Sequence, residues 1–133
     1  MFSRKVNIIA LYNRSRGEIM ELQYSELDNN ISMIKLIGKM DIIGVGEIET
    51  SFADYCAGDG IRMLVDLSEV EFLASIGIRL LTLTAKSVAS RGGKMALVNP
   101  IPNVEQVLDV TGIPAIIPVY PDLESAKIAL LIS

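Results

Sequence analysis

The chain of 133 residues contains no histidine and no tryptophan, and it has a single cysteine, Cys56. Without histidine there is no Ser-His-Asp or Cys-His nucleophile pair, no imidazole general base, and no use of the commonest metal ligand. One cysteine rules out an internal disulfide and a thiolate zinc site, and it fits a reducing, cytoplasmic setting in which Cys56 packs in the core. Aromatics make up 5% of the chain. No apolar run is long enough to span a bilayer. Val6 to Tyr12 is short, is interrupted by Asn7 and lacks a small-residue cleavage site, so direct membrane insertion is not expected.

Half the residues are hydrophobic, which at this length suits one compact domain with a sizeable core. The six methionines read as core filler. Charge is uneven. Residues 1–19 carry Arg4, Lys5, Arg14 and Arg16 against Glu18, a balance of +3, while the chain as a whole carries −4, so residues 20–133 carry −7. An acidic body argues against nucleic acid and tolerates a basic protein partner. Residues 1–19 are read as an extension. It is either an extra edge strand, since Val, Ile and Tyr favour strands, or a misassigned start ahead of Met20, since Ser-Arg-Gly-Glu can be encoded by purine-rich codons resembling a ribosome-binding site.

From Leu22 the pattern is regular. "LQYSEL" and "ISMIKLIG" predict a hairpin turning at Asp28-Asn29-Asn30. Val45, Ile48, Phe52 and Tyr55 predict a helix over Val45–Ala57, stopped by Gly58 and Gly60. "IRMLVDL" is a buried strand, followed by "SEVEFLASIG" as a loop and a helix over Ile76–Ser90 that Gly92-Gly93 stops. "KMALV" is a strand, Pro102 starts a short helix that Gly112 ends, "AIIPV" is a strand, and Asp122 caps a closing helix. The order β-β-α-β-α-β-α-β-α predicts an α/β fold, a mixed sheet with helices packed on it: an antiparallel first hairpin, then parallel strands.

In such sheets the loops after the parallel strands gather at one edge, where sites form. Two of them stand out, Gly38-Lys39-Met40-Asp41 and the segment holding Ser75. Ser75 falls at or beside a helix N-cap, a role worth about 1 kcal/mol. Glu69 and Glu71 read as a solvated acidic loop, since no nucleophile accompanies them. Arg91-Gly92-Gly93-Lys94 lacks both the upstream glycine of a phosphate loop and the Ser or Thr after the lysine, where Met95 stands.

"VDLSEVEFLASIGIRLL" resembles the central motif of the STAS domain through Asp66, Leu67, Ser68, Val70, Phe72, Leu73, Ser75 and Gly77. "GKMD" resembles the family's Gly-x-Leu-Asp and places Asp41, "GGKMALVNP" resembles its segment before the third helix, and "VLDVTGI" resembles Val-Leu-x-x-Thr-Gly-Leu at Thr111 and Gly112. The resemblance runs over roughly residues 20–131. Where many members have Asp before the serine and Ser or Ala after it, this chain has Ala74 and Ile76.

The resemblance implies a STAS-type fold and a non-enzymatic anti-sigma factor antagonist without cofactor or metal. Such a protein binds an anti-sigma factor that is also a serine kinase. Phosphorylation at Ser75 releases it, and a serine phosphatase restores it. The contact surface so implied comprises Met40, Asp41, Ala74, Ser75, Ile76, Gly77 and Arg79, on a monomer or weak dimer. The alternative the resemblance leaves open is an unphosphorylated adaptor subunit of a membrane transport or signalling complex.

Overall fold

The computed structural model describes residues 6–13 and 18–132, with side chains described from Met20 onward. Arg4, Lys5, Arg14 and Arg16 of the extension lie outside the described residues. Among the described residues, six strands form one sheet in chain order: β1 (Val6–Asn13), β2 (Glu18–Glu26), β3 (Ile31–Met40), β4 (Arg62–Leu73), β5 (Lys94–Val98) and β6 (Val119–Tyr120). β1–β2 and β2–β3 pair antiparallel; β3–β4, β4–β5 and β5–β6 pair parallel. Helices α1 (Ile42–Tyr55), α2 (Ser75–Ser90), α3 (Pro102–Val110) and α4 (Leu123–Ile132) fill the connections and close the chain. From β2 onward this is the expected element order and mixed sheet, with β1 added at the edge beside β2.

Alternation along the strands divides the core into two layers. Ile34 and Leu36 of β3 and Met63 and Val65 of β4 face Val45, Ile48 and Phe52 of α1, Leu81 and Val88 of α2, and Val104 and Leu108 of α3. Ile31, Leu64, Ala96 and Val98 face the other way and meet Ala126 and Leu130 of α4. Each fully buried Leu, Ile or Phe contributes about 1.5–3 kcal/mol. Cys56 is buried in the first layer, as its apolar reading requires, and burial pushes its thiol up to about 12.

Local chemistry sets most boundaries. Asn29 and Asn30 adopt φ of 63° and 61° in the β2–β3 turn, a region asparagine tolerates. Gly112, at φ 77°, ends α3, and the Thr111 hydroxyl donates to the Val107 carbonyl at 2.7 Å. The Asp122 carboxylate accepts from the Ser125 amide at 2.8 Å and caps α4, which holds its carboxyl below the usual range. At the corner after α2, a Cβ on Gly93 would lie 2.4 Å from the Ile61 carbonyl, so β5 can enter the sheet only through glycine.

Three expectations need correction. α1 begins at Ile42, three residues earlier than the apolar spacing indicates, because Asp41 caps it. "SEVEFL" is strand: β4 continues to Leu73, with Val70, Phe72 and Leu73 paired to Gly38, Lys39 and Met40 across two register shifts. Gly38, at φ 121°, takes the irregular backbone at the second shift. "AIIPV" is mostly turn: the Ile116 and Ile117 amides both donate to the Ile113 carbonyl, and β6 is two residues long. Pro118 lacks the N–H that a central strand needs.

Candidate functional site

β3 and β4 project together beyond the shorter β5, and each feeds directly into a helix. The two helix starts are tied to each other: the Ala74 amide donates to the Met40 carbonyl at 3.1 Å. At α1 the Asp41 carboxylate accepts from the Gly44 amide at 2.8 Å, a side-chain N-cap. At α2 the N-cap is Ala74, with no side-chain cap bond. Ser75 is therefore the first helical residue and not the cap, which corrects the expectation that its hydroxyl closes the helix. Its side chain stands exposed at the N-terminal end of the helix, where the peptide dipoles favour an anion.

The other expected contact residues separate into two groups. Arg79 is exposed one turn along α2, and Asp41, Ala74 and Ile76 are half-buried around Ser75. Met40 and Gly77 are buried. They belong to the scaffold beneath the surface, since a Cβ on Gly77 would lie 2.6 Å from Leu73 Cδ1 and 3.1 Å from Met40 Cβ. The glycine of the motif is thus what lets the start of α2 sit down on the ends of β3 and β4.

Two exposed apolar residues stand at this edge. Ile42, read from sequence as a loop residue before the helix, is the first residue of α1 and 74% exposed. Phe72 is 48% exposed beside Lys39, on the side of the sheet opposite Leu73 and Met40. Its reading as loop hid which way it faces. The acidic segment carries no acid–base pair: Glu69 is bridged to Lys35 at 2.5 Å, which raises the lysine's pKa, and the Glu71 carbonyl accepts from Asn103. Arg91 also serves structure, donating to the Cys56 carbonyl, the Gly58 carbonyl and the Ser87 hydroxyl. Among the described residues there is no cluster of His, Cys, Asp or Glu able to hold a metal, and no helix long and apolar enough to cross a membrane.

The family model of the STAS domain matches residues 25–126. The chain belongs to the STAS domain family. Among relatives of this STAS domain, the anti-sigma-F factor antagonist RsfB of Mycobacterium tuberculosis is 28% identical over 60 residues, 45% of this chain and 49% of RsfB. BtrV of Bordetella bronchiseptica, provisionally named an anti-sigma factor antagonist, is 26% identical over 110 residues, 83% of this chain and 94% of BtrV. The chain thus spans about half the length of the mycobacterial relative and nearly all of the Bordetella one. In three dimensions it resembles an anti-sigma-factor antagonist STAS domain protein from Planctomyces limnophilus, with TM-score 0.75, 25% identity, and 82% of this chain and 96% of that chain covered. It shares its fold with the anti-sigma factor antagonist SpoIIAA in its unphosphorylated form, at TM-score 0.64 and 20% identity, over 80% of this chain and 92% of that one.

Proposed function

We propose that this STAS domain is a non-enzymatic anti-sigma factor antagonist. It binds an anti-sigma factor that is also a serine kinase, is released when that kinase phosphorylates Ser75, and is reset by a serine phosphatase. The observation that carries this reading is the exposed hydroxyl of Ser75 at the first position of α2, free of any capping bond.

The physical sequence is short. A kinase can reach a hydroxyl that no backbone group engages. A phosphate there adds about −1.5 to −2 charges at neutral pH. The helix start favours that charge, so the fold tolerates it. A partner seated on the same surface has to desolvate the dianion beside the Asp41 carboxylate, and each 1.4 kcal/mol of that cost is tenfold in affinity. The switch therefore acts on association and leaves folding intact.

The test is to incubate the purified chain with each serine-kinase anti-sigma factor of its source organism and ATP, and then to weigh it by intact-mass spectrometry. One added phosphate mapped to Ser75, with loss of the complex on size-exclusion chromatography, is expected. A phosphate on Ser68, Ser87 or Ser90 moves the switch elsewhere. No phosphate from a demonstrably active kinase overturns the switch and leaves the unphosphorylated adaptor.

A further inference from the structure

We infer that the anti-sigma factor lays an amphipathic helix along the groove between α1 and α2, with one end of that helix against Ser75. This rests on the reading of the chain as an anti-sigma factor antagonist. The groove is about 470 Å³. Thr50 and Ala53 on α1 and Leu80, Leu83 and Thr84 on α2 line it, and Leu83 is 53% exposed.

The groove leads to the switch. Ile76, Leu80 and Leu83 recur at i, i+4 and i+7, so the apolar row on α2 begins at the residue next to Ser75. Gly46, Thr50 and Ala53 repeat that spacing on α1 with small side chains, and a Cβ added at Gly46 meets nothing within 4 Å. One wall is bulky and the other low, the shape that accepts the apolar stripe of another helix. From Leu80 to Ser87 the α2 wall is about 10 Å long at 1.5 Å per residue, two turns of a docked helix, and Ile76 carries the apolar row one turn further toward Ser75.

Charge sets the partner's chemistry at the far end. The exposed carboxylate of Asp54 borders the groove there, and that of Glu49 stands halfway along α1. The guanidinium of Arg91 is already committed to two backbone carbonyls and Ser87. The docked helix accordingly presents aliphatic side chains along its stripe and lysine or arginine from its middle to the end remote from Ser75, facing Glu49 and Asp54. A phosphate on Ser75 then meets the opposite end of that helix as it seats, which couples the modification to the whole groove.

The experiment measures affinity for the unphosphorylated chain by calorimetry, using the anti-sigma factor kinase that phosphorylates it. Variants are Leu83→Ala, Thr50→Phe (which fills the groove from the other wall), Glu49→Lys and Ser75→Asp. Val110→Ala, at an exposed apolar residue at the end of α3, is the control. Leu83→Ala, Thr50→Phe and Glu49→Lys are each expected to weaken binding tenfold or more while melting within a few degrees of the wild type, and Val110→Ala to bind within twofold of it. If the three groove variants bind within twofold of wild type while Ser75→Asp loses binding, the groove is not the seat and the antagonist reading stands. If Ser75→Asp also binds as wild type, the switch itself fails.

Discussion

The starts of α1 and α2 are built on one local plan. Asp41-Ile42-Ile43-Gly44-Val45 and Ala74-Ser75-Ile76-Gly77-Ile78 each give a cap residue, a first-turn isoleucine at the second helical position, a buried glycine at the third and an aliphatic residue after it. In both, the glycine allows close approach: a Cβ on Gly44 would fall 2.0 Å from the Lys39 carbonyl, and one on Gly77 would meet Leu73 and Met40. They differ in the cap. Asp41 spends its carboxylate on the Gly44 amide, whereas Ala74 has nothing to spend. The comparison separates two jobs that a serine near a helix start can hold. α1 uses a side chain to begin the helix. α2 begins through backbone bonds, with the Gly77 and Ile78 amides donating to the Ala74 carbonyl and the Ala74 amide to Met40, and leaves its hydroxyl outside.

The comparison breaks hardest at the glycines. Gly44→Ala sets a methyl against a backbone carbonyl that cannot step aside, so α1 must lift from β3, and a loss of about 3 kcal/mol in chemical denaturation is expected. Gly77→Ala meets mainly the movable end of Leu73, and about 1–2 kcal/mol is expected from the same measurement. A Gly77 loss as large as that of Gly44 would mean that the strand end under α2 is as rigid as a backbone carbonyl.

A smaller effect is expected at Asp41. Asp41→Ala removes the cap and should cost about 1 kcal/mol, read as a lower urea midpoint at unchanged slope. Asp41→Asn keeps the capping oxygen without the charge and should return to within a few tenths of a kcal/mol of wild type. If Asp41→Asn binds the anti-sigma factor as wild type while Asp41→Ala does not, the residue works through the shape of the α1 start. If both bind poorly at different stabilities, its charge is in the interface.

The smallest stability effect belongs to Ser75. Ser75→Ala should change stability by less than about 0.5 kcal/mol, the usual range for an exposed substitution away from caps and core, while abolishing release by ATP. A loss of 1 kcal/mol or more would show that the hydroxyl does cap α2 in solution.

Much of this site is legible in sequence. Ser75 stands out as a lone hydroxyl in an apolar run at a helix start, and Asp41 and Gly77 stand out through the motifs that resemble the STAS domain. What stays hidden is which neighbours are covered. Met40 reads as a surface loop residue next to Asp41 but is buried under Gly77. That outcome does not follow from the residue or its spacing, because burial is decided by what the adjoining element lays on top.

The sequence by itself determined the order of elements from β2 onward, the mixed sheet, the glycine and asparagine turns and the cap at Asp122, since those depend on hydrophobic period, permitted φ and hydrogen-bonding groups within a few residues. Tertiary structure decided where β4 ends, which strand end carries each helix, and that α1 and α2 leave a groove between them. The segment "SEVEFL" has the charge of a loop, and only the row of hydrogen bonds offered by Ile37 to Met40 of β3 makes it strand. The groove arises because Thr50 and Ala53 are small where α2 passes, a relation between two helices that neither carries alone.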